Sequence, residues 1–453
     1  MNFILAFIQL VLIVSIVIFE YKNGSVVIFL WATLLIMFGF PHFISVLTRT
    51  LVYPEDVYLY ASLFVTLFNL IYIITRYLLK IMFRSYNAID SIKEGLNKGI
   101  LNTEMVLNKR LLVILVFFFS VSIIFLKRNY GSILNTSWGG LFTDSINIYE
   151  LGFNMKSISY FTKYVIYGTG GLFTYFFYKK KYVKSFAAAS VILLFVLITR
   201  NRIMILPLIV MIILMYLVKY RRLRFRQMIL FALLGSSVIY IVYALRLFRH
   251  YGELSNFTSN FDLYQFNKRL FDMLLNGDGE LGLRNVFLYF IDNDNDFLNF
   301  NKGHTYLRLF FMFIPTKLAF GLKPPDFAIT MGSAWSGDFA NTKFSTHPTL
   351  YGDVFANLYW FGILLAVFWA IFALVVDRIV IKSNLTKQLN YISIFGSMYV
   401  IVGRGSVYNG VFLAVLSAVI LNVVYIACYK VPTIKFDKLY KNKESYSECQ
   451  RIE

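Results

Sequence analysis

Apolar runs long enough to cross a bilayer alternate with short polar connections along most of this chain, and the alternation breaks at length once, between residues 246 and 352. A spanning helix needs roughly twenty apolar residues, and about eleven stretches qualify. They lie near 2–20, 25–48, 58–83, 111–126, 158–178, 185–200, 203–218, 227–245, 353–376, 388–404 and 408–429. The pattern predicts an all-α integral membrane protein. Transmembrane helices with short loops fill 1–245, a large polar loop covers 246–352, further transmembrane helices fill 353–429, and a basic tail covers 430–453. Residues Asn2 to Glu20 lack a basic leader and a small-residue cleavage site, so the first segment is read as a span rather than a removable signal.

Composition agrees with this reading. Hydrophobic residues make up 58% and charged residues 15%, against about a quarter charged in soluble domains. The net charge of +20 raises the question of a nucleic-acid partner, but its distribution answers it. Lys and Arg cluster in the short connections at 84–110, 179–184, 219–226 and 378–387 and in the tail, as expected for cytoplasmic loops facing anionic lipid. No nucleic acid is implied, and the loop 246–352 is expected on the opposite side, outside the cytoplasm. Cys428 and Cys449 both fall toward the cytoplasmic end, so neither a disulfide nor a cysteine metal site is expected.

Against that topology, several arginines stand where the rule predicts depletion. Arg200 and Arg202 lie at an outer turn between two spans, Arg246 and Arg249 share a helical face at the outer end of another, and Arg404 closes a third. Guanidinium is planar, permanently charged and forked, which suits phosphate oxygens. These five are candidates for binding a lipid-linked phosphate or pyrophosphate; the alternative is that they snorkel to headgroups as helix anchors. The loop holds His250, His304 and His347, three of the four histidines. His347 stands just before a span, where an imidazole can take a proton near neutral pH, with Asp338 or Asp353 as candidate orienting carboxylates. Trp335, Tyr351, Tyr359 and Trp360 are candidate sugar-stacking rings or, equally, belt and core residues.

Other motifs lead nowhere. Asp292, Asp294 and Asp296 imitate a calcium loop, but Phe297 and Gly303 occupy the positions that need Gly and Glu; a solvated turn is the better reading, and no metal or other cofactor is expected. Walker, GxSxG and HExxH patterns are absent. Gly168, Gly170 and Gly171 are read as allowing close helix packing. Residues 84–110 are read as a cytoplasmic connector.

The layout, the TRNR turn at 199–202, the segment FIPTKLAFGLKPPD at 313–326 and STHPTLYGDVFANLYWFG at 345–362 together resemble the bacterial oligosaccharide repeat-unit polymerases, the O-antigen polymerase (Wzy) family. Ala319, Phe320 and Gly321 stand where that family's element usually ends in Trp-Pro. The resemblance implies a metal-independent, inverting glycosyltransferase of GT-C-like architecture in the bacterial inner membrane. It would move a glycan from one undecaprenyl pyrophosphate to the terminal sugar of a repeat unit on another, alongside a flippase and a chain-length regulator. It assigns Arg200, Arg202 and Arg404 to the pyrophosphate and His347 to the role of base. An O-antigen ligase, which shares the layout and donor, is the first alternative. A lipid-linked oligosaccharide transporter is the second, disfavoured because the ionisable residues are expected to gather in the outer loop rather than within the spans.

Overall fold

The computed structural model describes residues 2–83, 87–97, 102–129, 153–199, 202–219, 264–268, 282–296, 304–314, 318–325, 327–337 and 345–430. Among these the regular structure is helical throughout. Six stretches among the described residues are long and apolar enough to cross a membrane: Asn2–Asn23, Ile28–Thr48, Glu55–Phe83, Glu104–Ile124, Thr349–Ile381 and Val407–Tyr429. The chain is a multi-pass α-helical membrane protein in build. The expected span 227–245 lies outside the described residues.

Helix α1 (Asn2–Asn23) is followed by α2 (Ile28–Leu34), a π turn at Leu35–Gly39 and α3 (Phe40–Thr48). After α4 (Glu55–Phe83) come α5 (Ala88–Asn97) and α6 (Asn102–Asn129). The expected span 158–178 is divided into α7 (Phe153–Thr169) and α8 (Gly171–Tyr178). The break falls where backbones approach closely. A Cβ on Gly170 would lie 2.2 Å from Ser393 Oγ, and one on Gly171 2.6 Å from the Asn390 backbone nitrogen. Helix α9 (Tyr182–Thr199), a 3-10 turn (Arg202–Ile205) and α10 (Leu206–Lys219) complete the N-terminal half.

In the second half, α11 (Leu283–Asp292), α12 (His304–Phe310) and α13 (Phe327–Ser336) come from the stretch expected as a polar loop. Helix α11 is instead packed into the bundle, with Phe287 against Phe38, Phe64 and Phe355. Next come α14 (Thr349–Leu358), a 3-10 turn (Tyr359–Leu364), α15 (Leu365–Ile381), α16 (Leu385–Gly403) and α17 (Val407–Lys430). Helix α16 is the centre of the fold. Every residue of it except Lys387 and Val400 is buried, against α2, α7, α8, α10, α15 and α17. Burial by protein rather than lipid accounts for the Gln388, Asn390, Ser393 and Ser397 it carries in an otherwise apolar stretch.

Contacts along α4 show that Thr349–Ile381 is not one straight span. Tyr351 donates its hydroxyl to Asn69 Oδ1 at 2.9 Å, fourteen residues from Glu55 and so roughly 20 Å down α4. Phe355 then meets Phe64, about one turn nearer the Glu55 end, and Asp377 meets Arg76, well toward the other end. The chain therefore enters deep, rises through α14, reverses and descends as α15. The reversal is set by Tyr359 at φ 54° and ψ −140°. It also needs Gly362, where a Cβ would stand 2.6 Å from the Val354 carbonyl oxygen. The acidic turn closes the top: Asn295 is buried and donates to the Ala356 carbonyl at 2.9 Å, and Asp294 accepts from the Tyr359 hydroxyl at 3.1 Å. Sequence suggested a merely solvated turn, yet this one caps α14.

Basic residues converge at the other end of the bundle. Lys80 bonds Asn23, Arg378 lies over Phe83, Arg110 bonds the Cys428 carbonyl, and Lys387 bonds Asn422. Just inside that end, Arg76 pairs with Glu20 at 2.8 Å and with Asp377 at 2.7 Å. These three ionisable residues lie within the spans, which overturns the expectation that such residues keep to the outer loop.

Candidate functional site

The residues 345–348 run without helix at the depth of α4's middle, held from both sides. The Thr346 amide donates to the Ala328 carbonyl at 3.0 Å, and the Thr349 amide to the Arg404 carbonyl at 3.1 Å. Irregular backbone at that depth is tolerated only when buried in protein or lining a polar cavity. Two unusual conformations make the junction. Thr349 has φ 65°, costly for a β-branched residue. Gly405 has φ 99°, and a Cβ there would lie 2.6 Å from the Thr349 nitrogen. Thus α16 ends, α17 begins and α14 starts at one point.

His347 and Arg404 meet at this junction. Burial, and then the charge of Arg404, push the His347 imidazole down to about 3, so it is neutral at any physiological pH. Its Nδ1 is buried without a hydrogen-bond partner among the described residues, as is Oγ1 of the wholly buried Thr349, while the histidine as a whole keeps partial exposure. Thr349 is the first residue of α14; its own amide is taken by the Arg404 carbonyl, and the dipole of the helix N-terminus favours an anion. A neutral base, a guanidinium and a helix N-terminus therefore meet at one junction.

Other expected residues fare differently. Among the described residues no bond joins Asp353 to His347; its carboxylate accepts from the Thr305 hydroxyl at 3.3 Å and the Asn357 amide at 3.3 Å, tying α12 to α14. Tyr351 is fully buried between Phe38 and Phe68, so its ring is core rather than a sugar platform. Trp335 packs edge-on to Tyr289, and Tyr359 on Phe355 and Trp360; both remain partly accessible. Arg200, Arg246, Arg249 and Asp338 lie outside the described residues, and only the backbone of Arg202 is described. That backbone opens the 3-10 turn whose Ile203 carbonyl accepts from the Tyr167 hydroxyl on α7.

Two cations escaped the sequence reading. The Arg308 guanidinium lies 4.6 Å over the Tyr408 ring, one turn beyond Arg404, and bonds the Pro324 carbonyl. That bond anchors the KPPD turn, where burial and the nearby Arg308 charge lower the Lys323 ammonium. Lys163, half-buried on α7, has no hydrogen-bond or ion-pair partner among the described residues. It lies on the face that carries Tyr160 and Tyr167. An intramembrane lysine in the run FTKYVIYG was a legible signal.

Among the described residues no group of His, Cys, Asp and Glu is arranged to hold a metal ion. Comparison with protein-family models, with curated proteins and with solved structures finds no match.

Proposed function

We propose that the protein polymerises polyprenyl-pyrophosphate-linked oligosaccharide repeat units at the outer face of a bacterial inner membrane. The observation that supports this most is a neutral, deeply set His347 beside Arg404 at the N-terminus of α14. In the reaction the acceptor sugar's hydroxyl oxygen forms a bond to the donor's anomeric carbon as the bond from that carbon to the pyrophosphate oxygen breaks, with inversion. The hydroxyl proton passes to His347. The charge developing on the departing pyrophosphate falls on Arg404, on the α14 amides and on the Thr349 hydroxyl, donors already in place before the reaction. Arg308, over Tyr408 near the start of α17, supplies further positive potential, and Arg200, Arg202, Arg246 and Arg249 keep the pyrophosphate role that sequence assigns them. Glycan length beyond the reacting sugar supplies orientation.

Purified protein with a lipid-linked repeat unit should yield a ladder of products in excess chelator. Activity that vanishes with EDTA and returns with magnesium or manganese would refute the metal-independent mechanism. Reporter fusions after residues 270 and 340 should be active outside the cytoplasm.

The transporter reading gains one specific observation: α14 and α15 form a discontinuous pair, a device transporters use at mid-depth binding sites. The two readings differ in the product. A transporter relocates the lipid-linked unit unchanged, whereas a polymerase lengthens it in a detergent solution that has no sides.

A further inference from the structure

At the basic end of the bundle, α6 and α17 part to leave a groove of about 480 Å³. Its walls are Val113, Ile114 and Ala427, and its rim carries Lys109 and Arg110. Arg110 is held at the rim by the Cys428 carbonyl, near the end of α17. Lys109 is exposed, and Lys184, from the start of α9, lies within electrostatic reach of both Lys109 and Lys181. Lys184 thus brings the like charge of a second element toward Lys109, one of the two cations on the rim. The nearby carboxylate, Glu104, faces Lys179 instead. Holding like charges together without an anion costs free energy, and an apolar slot below them matches a hydrocarbon chain.

We infer that this groove seats an anionic phospholipid of the leaflet at the basic end, its phosphate between Lys109, Lys184 and Arg110 and an acyl chain along Val113 and Ile114. The charge complementarity selects the headgroup, since a zwitterionic lipid carries its own cation and would leave the repulsion uncompensated. The site lies at the basic end of α6 and α17, whereas His347 sits at the depth of α4's middle, and it does not depend on the proposed reaction.

Native mass spectrometry of the full chain in detergent, titrated with phosphatidylglycerol or phosphatidylcholine, tests this. Retention of one phosphatidylglycerol, with much weaker retention of phosphatidylcholine, is the expected result. Lys109→Gln with Lys184→Gln should weaken the anionic lipid roughly thirtyfold, at about fivefold for each lysine. Inorganic phosphate at equal concentration should not displace the lipid, because it lacks the chain. Equal retention of the two lipids by the unaltered protein would overturn the site without reference to any variant. So would undiminished phosphatidylglycerol binding by a double variant that melts at the parent temperature.

Discussion

Two buried polar clusters sit in the same helix bundle, and one is complete where the other is open. At the basic end, Glu20 and Asp377 share Arg76, and the remaining carboxylate capacity is filled. Tyr72 donates to Glu20 at 2.9 Å, and Ser25 and the Val26 amide donate to Asp377 at 2.6 and 3.0 Å. At the junction of α14 and α16, His347 Nδ1 and Thr349 Oγ1 are buried with no partner among the described residues. An unsatisfied buried polar group costs about 1–3 kcal/mol, so the second cluster is expensive where the first is not. A satisfied network joins α1, α4 and α15 and has nothing left to offer a ligand. An unsatisfied one beside a cation and a helix N-terminus has hydrogen-bonding capacity that no described residue uses.

Removing Arg76 should do the most damage. Arg76→Ala leaves two carboxylates buried together, at a cost of roughly 3–5 kcal/mol, and thermal unfolding in detergent should show a large drop or no folded protein at all. A merely peripheral pair would leave the melting temperature within a degree or two of the parent. At the open cluster the pattern should invert. His347→Ala should remove about 10²- to 10⁴-fold of the polymerising rate with unfolding temperature unchanged and lipid-linked donor still bound. Normal glycan ladders from that variant would take the base role away from His347.

Arg404→Lys is the next test. It keeps the charge but loses the fork, and one charge-assisted contact of roughly 1.5–3 kcal/mol corresponds to about ten- to a hundredfold in rate. Its carbonyl, which accepts from Thr349, is backbone and survives the change. Stability should therefore hold while the rate falls. A variant with full rate would return Arg404 to the role of helix anchor.

Sequence made one of these clusters partly visible and concealed the other. His347 and Arg404 were singled out by chemical type, but their meeting depends on a bond between residues 349 and 404 and on two positive-φ positions that no local pattern announces. Glu20, Arg76 and Asp377 each stand near the end of an apolar run, so each looks like an ordinary interfacial charge until helices far apart in sequence are brought together. The reversal at Tyr359 is hidden for another reason. Thr349–Ile381 holds a window apolar enough to cross a membrane, and hydropathy records length rather than direction. Asp353 is near His347 along the chain, yet its described bonds run to Thr305 and Asn357, contacts that adjacency in sequence does not announce.

The smallest effect is a shift in a pH profile, and it probes the open cluster directly. His347 titrates near 3 in the folded protein against 6.5 for a free imidazole. Between those values the unfolded chain binds the extra proton, so this group makes stability rise with pH through the window and contributes no slope above it. The same lowering makes His347 a weak base in the empty site. A pyrophosphate bound against Arg404 cancels the positive charge that helps to hold the imidazole down, so the value should rise in the complex. The acid limb of kcat/KM, which reports the free enzyme, should then lie at lower pH than the acid limb of kcat, which reports the loaded one. In Arg404→Lys the positive charge remains and the separation should persist, whereas Arg404→Gln should bring the two limbs closer by raising that of kcat/KM. Coincident limbs in the parent protein would mean that the anion binds elsewhere, and that the open polar atoms beside His347 serve another ligand.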